Sequence, residues 1–171
     1  LCLQKSRQRM KENVVNPAAA AADKRYNMNT ELLNTLSLQV AVTEAQREKA
    51  KALLIENKLP VADIDDDKLL YLLQDGDMTV GTAGLEIFND CGLLRSFSVV
   101  KNARGKGYGS FISSEMEKYA ADSGINCLYL LTTTAKDFFD KQGYCVIKRD
   151  EAPEGVKQSQ EFTSLCPSTA V

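Results

Sequence analysis

At 171 residues, 44% of them hydrophobic and 26% charged, the chain has the size and composition of one globular domain with a tail. A formal charge of −2 gives no support to nucleic-acid binding as its main role, and the sequence offers neither an apolar run long enough to span a membrane nor a charged-then-apolar leader. The chain has no histidine, and its five cysteines (Cys2, Cys91, Cys127, Cys145 and Cys166) never fall as C-x-x-C; this argues against a metal site and for a reducing, cytoplasmic setting.

Residues 1 to about 28 are rich in Lys, Arg, Asn and Gln and contain the run Ala18 to Ala22 without apolar periodicity. Residues 1–35 are therefore expected to be a disordered or weakly docked extension, with 36–171 as the folded domain. The alternation of Leu36, Leu38 and Val40 predicts a strand. Thr43-Glu44-Ala45-Gln46 reads as a capping box opening a helix to about Glu56, with Ala45, Ala50, Leu53 and Leu54 inward, and Leu59-Pro60 ends it. The acidic stretch Asp63 to Asp67 reads as a solvated loop. Lys68–Leu73 and Met78–Phe88 are two strands joined at Asp75-Gly76, a hairpin signal. After a turn at Asn89 to Gly92 comes a third strand, Leu93–Val100. Gly107–Ala121 has helical spacing, Cys127–Leu131 is a short buried strand, Thr134–Gln142 is a helix closed by Gly143, and Tyr144–Arg149 is a last strand. The order is β-α-β-β-β-α-β-α-β, an antiparallel meander followed by a strand that can lie parallel to 93–100.

The chemistry concentrates at Arg104-Gly105-Lys106-Gly107-Tyr108-Gly109, between a strand and a helix. A pyrophosphate needs converging N–H donors, and a helix N-terminus supplies them with a favourable dipole. Glycines let the backbone approach without Cβ clashes, while Arg104 and Lys106 add positive charge. The preceding strand closes a hairpin meander, unlike the opening of a dinucleotide-binding βαβ unit, and the loop lacks the lysine followed by Ser or Thr of a P-loop, since Lys106 is followed by Gly107.

The stretch Phe97-Ser98-Val99 through Gly109 resembles the acetyl-CoA loop of the GNAT acetyltransferase superfamily. Ala135 through Gly143-Tyr144 resembles its second signature, a helix ending in a Gly-aromatic step. Gly84-Leu85-Glu86, Leu93-Leu94-Arg95-Ser96, Leu128 to Thr132, and Glu161-Phe162 to Leu165-Cys166-Pro167 are similar to the arsenic-resistance N-acetyltransferases, the ArsN group, over about residues 48 to 171. The resemblance implies an α/β GNAT fold, with a mixed, mostly antiparallel sheet splayed at the acetyl-CoA site and flanked by helices. It implies acetyl-CoA as co-substrate, held by Phe97, Val99, Arg104, Gly105, Lys106, Gly107, Tyr108, Gly109, Ser110, Thr132 and Phe139, with no metal. The Val99 backbone is expected to bind the pantetheine arm. The general-acid tyrosine of many relatives is Phe139 here, and Thr132 replaces a common asparagine, with helix capping as its alternative role.

The candidate catalytic base, from the strand geometry, is Glu86. If the 89–92 turn is tight, Phe88 pairs with Leu93 and Glu86 with Arg95, and alternation puts Glu86, Arg95, Phe97 and Val99 on one sheet face. Arg95 can then fork onto an acceptor carboxylate while Glu86 takes the ammonium proton. The alternative is a surface salt bridge, and a one-residue slip in register would destroy the arrangement. Ser96 becomes an acceptor contact if a bulge re-aims it. The expected function is acetylation of a small amino-acid-like amine such as arsinothricin or phosphinothricin. Another amine (a polyamine or a protein N-terminus) and a non-catalytic CoA-binding module are the alternatives. The partners are small molecules, with neither nucleic acid nor membrane; a homodimer is left open, without an interface signature in the sequence.

Overall fold

The computed structural model describes residues 1–12, 35–65 and 67–165. Seven strands, β1 (Cys2–Ser6), β2 (Leu36–Val40), β3 (Leu69–Asp75), β4 (Met78–Phe88), β5 (Cys91–Val99), β6 (Cys127–Leu131) and β7 (Cys145–Ile147), form one sheet in the order β2-β3-β4-β5-β6-β1-β7. The β5–β6 pair is parallel and the other pairs are antiparallel. Helices α1 (Arg7–Glu12), α2 (Glu44–Glu56), α3 (Tyr108–Asp122), α4 (Lys136–Lys141) and α5 (Glu154–Lys157) flank it. The mixed α/β architecture expected from the sequence is therefore present. No described helix is long and apolar enough to cross a membrane.

From Leu36 onward the expected elements fall close to their predicted bounds, because local signals set them. The capping box at α2 forms as read, with Thr43 Oγ1 accepting from the Gln46 N–H at 3.2 Å and Gln46 Oε1 accepting from the Thr43 N–H at 3.0 Å.

The first twelve residues correct the expectation of a loose extension. β1 is threaded between β6 and β7, with Cys2 opposite both Leu131 and Ile147. Cys2, Leu3 and Met10 are fully buried. The sequence hid this strand because one of its core positions is a lysine. Lys5 is 1% exposed, donates to Glu117 Oε2 of α3 and to the Gln142 carbonyl, both at 2.6 Å, and lies over the Tyr144 ring. An ion-pair partner 112 residues away offsets much of that burial cost. The remainder of the expected extension, 13–34, lies outside the described residues.

Apolar side chains from alternate strand positions build a core on each face of the sheet. On one face α3 packs Ile112, Met116 and Ala120 against Leu3, Leu73, Leu94 and Leu130. On the other, Ala50 and Leu54 of α2 cover Leu70 and Leu72, while Ala152, Val156 and Phe162 of the C-terminal turns cover Cys2, Leu93 and Tyr129. Two separately covered areas thus meet over the middle of the second face, where Arg95 emerges.

Candidate active site

The parallel β5–β6 ladder runs from Cys91↔Cys127 to Leu93↔Tyr129 and stops there, although both strands continue. The far end of β6 pairs with β1 instead, through Leu130↔Leu3 and Leu131↔Cys2. A gap therefore opens between β5 and β6 at the level of Phe97 to Val99. The loop that follows β5 bends over this opening. Gly105 and Gly107 have φ of +78° and +92°, the left-handed region that glycine enters without strain, and Gly107 directly caps α3. The free N–H groups of the first turn of α3 consequently face a cavity of about 620 Å3. Phe97, Val99, Arg104, Gly105, Gly107, Tyr108, Gly109 and Ser110 line that cavity, and Lys106 lines an adjoining one of about 650 Å3. A Cβ on Gly109 would lie 3.2 Å from Cζ of Phe138, so this wall has no room for a side chain.

Not every expected loop residue turns its side chain to the cavity. The Tyr108 ring is buried, and its hydroxyl donates to Asp75 Oδ2 at 2.6 Å. Burial and the Asp75 carboxylate push that phenol up to about 12. Arg104 is held in the loop, its Nε donating to the Val99 carbonyl at 3.2 Å. Phe139 is 4% exposed and packs edge-on against Phe97, Phe138 and Tyr144; the preceding residue, Phe138, lines the cavity. A helical step of 100° decides which of two adjacent phenylalanines faces outward, and the sequence gives no phase for so short a helix. Thr132 Oγ1 accepts from the Ala135 N–H at 3.0 Å, in the turn before α4 rather than as its N-cap, and its backbone N–H pairs with the Leu1 carbonyl.

On the opposite face the hairpin register differs from the expected one. The turn is only Asn89-Asp90, so Phe88 pairs with Cys91 and Glu86 with Leu93, while Arg95 lies opposite Gly84. The slip amounts to two residues. Side chains repeat every two residues along a strand, so Glu86 and Arg95 remain on the same face. Beyond Arg95 the alternation breaks. The β4–β5 register shifts between Thr82 and Gly84, and Ser96 sits in the bulge at φ +51°, a conformation a non-glycine residue seldom adopts. The bulge turns Phe97 and Val99 to the α3 face, where they pack on that core. The expected single face holding Glu86, Arg95, Phe97 and Val99 is thus divided at Ser96, with Glu86 and Arg95 on one face and Phe97 and Val99 on the α3 face.

Arg95 is 4% exposed and is surrounded by acids. Its two terminal nitrogens fork onto Asp63, with Nη2 2.6 Å from Oδ1; Nη1 also meets Glu86, and Nε lies 3.3 Å from Oε2 of Glu161. Lys68 Nζ lies 3.2 Å from the second oxygen of Glu86. Asp63, read from sequence as part of a solvated loop, is 6% exposed. The Arg47 guanidinium holds that loop in by donating to the carbonyls of Asp65 and Lys68. Burial opposes the charge of Arg95, but the three carboxylates more than offset it and hold the guanidinium firmly protonated. Burial pushes the Glu161 carboxyl up to about 7, with Arg95 pulling down and Asp63 and Glu86 pushing up. The Ser96 hydroxyl, 9% exposed, has no hydrogen-bond partner among the described residues.

The family model for the acetyltransferase (GNAT) family matches residues 32–144, and the chain belongs to that family. Among curated proteins it is 29% identical over 92 residues to the uncharacterized N-acetyltransferase YjcF of Bacillus subtilis (strain 168), covering 53% of this chain and 66% of that protein. Among solved structures it resembles N-acetylglutamate synthase from Neisseria gonorrhoeae complexed with coenzyme A and L-arginine. The TM-score is 0.65 at 23% identity, over 72% of this chain but only 30% of the synthase. A putative N-acetyltransferase from Lactobacillus plantarum gives a TM-score of 0.59 at 24% identity, over 71% of this chain and 92% of that one. These structural likenesses establish the fold.

Proposed function

We propose that the chain transfers an acetyl group from acetyl-CoA to the amine of a small amino-acid-like acceptor. The observation carrying the first half is the glycine-built helix N-terminus beside a gap between two parallel strands. In this reading the first-turn N–H groups of α3, with Arg104 and Lys106, hold the pyrophosphate. The pantetheine arm runs along the backbone of Phe97 to Val99, and a Val99 N–H aimed at the thioester oxygen stabilises the oxyanion. Phe138 and Gly109 form the wall beside the arm.

The acceptor half rests on Arg95, Glu86 and Ser96. A zwitterion can enter by exchange with the existing ion pair, its carboxylate taking the place of Glu86 on Arg95 and its ammonium meeting the released Glu86. Glu86 then takes one proton from the ammonium, the amine attacks the thioester carbon, and the second amine proton leaves with the CoA thiolate. Phe139 has no proton to give, so water relays that second proton from the amine to the thiolate. The resemblance to ArsN makes arsinothricin or phosphinothricin the preferred acceptor. A solved N-acetylglutamate synthase of the same fold, complexed with coenzyme A and N-acetyl-glutamate, acts in the same chemical class. The reading carries with it a cytoplasmic setting, and a homodimer as the assembly to test by light scattering. The three carboxylates around Arg95 favour a second reading, a polyamine acceptor.

The test is thiol release from acetyl-CoA with phosphinothricin, arsinothricin, L-glutamate and spermidine as acceptors. Turnover confined to the glutamate-like amines is expected, with Arg95→Ala raising KM for the acceptor far more than KM for acetyl-CoA. Turnover of spermidine alone replaces the first reading by the second, and equal effects of Arg95→Ala on both KM values remove Arg95 from the acceptor site.

A further inference from the structure

Gln142, at the C-terminal end of α4, is 8% exposed, although an apolar side chain would fill the same space without burying an amide. Its backbone is fixed from two sides. The N–H donates to the Phe138 carbonyl at 3.2 Å, and the carbonyl accepts from Lys5 Nζ at 2.6 Å. From that base the side chain crosses to the glycine loop, where Nε2 donates to Ser110 Oγ at 3.1 Å. Ser110 is the third residue of α3 and lines the cavity of about 620 Å3 that the helix N-terminus faces. The first intrahelical bond of α3 runs from the Phe111 N–H to the Gly107 carbonyl, so the Ser110 N–H is one of those left open at the helix start.

A serine hydroxyl has one proton and two lone pairs. The bond from Gln142 fills one lone pair, and the proton cannot point toward the amide that donates to it. Of the directions that remain, the cavity is the one in which an anion would take the proton. The direction of donation therefore decides what Ser110 offers. With an N–H behind it, the hydroxyl presents a proton; with an acceptor behind it, the hydroxyl would turn and present lone pairs, which repel an anion. We propose that Gln142 is a positioning residue for a pyrophosphate bound in this cavity: by donating to Ser110 Oγ it aims the Ser110 proton at the same place as the open N–H groups of α3. The proposal takes from the reading above only that the ligand carries a pyrophosphate, as CoA does. Gln142 need not touch that ligand; it acts through Ser110. Hydrogen bonds to charged acceptors are the strong ones, so a single proton aimed correctly has a measurable effect on affinity. Lys5 holds the Gln142 carbonyl, and the orientation of Ser110 is thereby tied to β1.

The experiment measures, on the full chain by calorimetry, the affinity for CoA, for 3′-dephospho-CoA (which keeps the pyrophosphate), for pantetheine (which lacks it) and for inorganic pyrophosphate. Ser110→Ala should weaken CoA and 3′-dephospho-CoA about tenfold. Gln142→Glu, whose carboxylate accepts from Ser110, should weaken them at least as much, and Gln142→Leu, which leaves the hydroxyl free to turn, less. Pantetheine should be unaffected by all three. In the Ser110→Ala background the effect of Gln142→Glu should shrink at least about fivefold. An undiminished effect there means simple repulsion by the new carboxylate and overturns the inference, as does a loss shared by pantetheine. A second measurement does not depend on the variants binding ligand. With 15N-labelled glutamine, the Gln142 side-chain amide signal, assigned by its loss in Gln142→Leu, should move with CoA and with inorganic pyrophosphate and stay fixed with pantetheine; a signal unmoved by bound CoA overturns the inference. Binding of CoA without coupling between Gln142 and Ser110 leaves the cofactor reading in place and removes the inference. Binding of inorganic pyrophosphate with that coupling, but not of CoA, removes the cofactor reading and leaves the inference standing. Binding of neither overturns both.

Discussion

The two faces of the sheet each bury an ion cluster, and the two clusters are built to opposite specifications. Beneath α3, one lysine meets one glutamate, with the Gln142 carbonyl and the Ser113 hydroxyl satisfying further positions on Lys5 and Glu117. Over the other face, one arginine meets three carboxylates, with a partly exposed lysine at the edge. The Lys5 pair lies within a continuous core and joins the first strand to a helix more than a hundred residues away. The Arg95 cluster lies at the seam between two separately covered areas, beside a strained serine. Burial alone does not separate the two roles.

The comparison can be broken most forcefully at Lys5. Lys5→Ala leaves Glu117 buried without its ammonium, and urea unfolding should show a loss of about 3–5 kcal/mol. The double replacement Lys5→Met, Glu117→Leu should recover most of it, since an apolar pair of similar volume substitutes well for a buried ion pair. A cost below about 1 kcal/mol for Lys5→Ala would show that the Lys5 pair does not hold β1 in place. The Arg95 cluster should respond to pH. The Glu161 carboxyl lies at about 7 against an ordinary 4.5, so the folded state binds its proton more tightly than the unfolded chain does. Its contribution is therefore fully present below about pH 4.5 and fades as pH rises through 7, by at most about 3 kcal/mol. Glu161→Gln should flatten that decline in thermal melts, and an unchanged slope would place the decline elsewhere. The smallest effect is expected at Lys68, whose side chain is 23% exposed. Lys68→Met should cost under about 1 kcal/mol in stability, yet shift the Glu161 decline to higher pH by removing a cation beside Glu86.

The glycine loop before α3 was largely legible in the sequence because its information is local. Arg104 through Ser110 are contiguous, and the glycines that must reach positive φ are visible as glycines. The Arg95 cluster was legible only in part. Glu86 and Arg95 could be put on one face by strand periodicity, which tolerated a two-residue error in register. Asp63 and Glu161 could not be added, since each comes from an irregular segment that nothing in the sequence ties to Arg95. The bulge at Ser96 has no glycine to announce it, so the switch of Phe97 and Val99 to the other face was hidden. β1 was missed because a lysine stood where the core pattern wants an apolar residue.

The threading of β1 between β6 and β7 also has a bearing on how the molecule is made. β1 is among the last strands that can be placed, since its partners Cys127–Leu131 and Cys145–Ile147 are synthesised more than a hundred residues later. Contacts of such sequence separation form slowly. Until they form, β6 and β7 lack the strand between them and the strand-forming N-terminus lacks its partners, a state exposed to mispairing. The gap between β5 and β6 is bounded by the same β6, whose far end is held by β1. Completion of that gap's far wall is thus tied to a late step of folding, and a newly made chain should acquire affinity for CoA only once β1 has found its place.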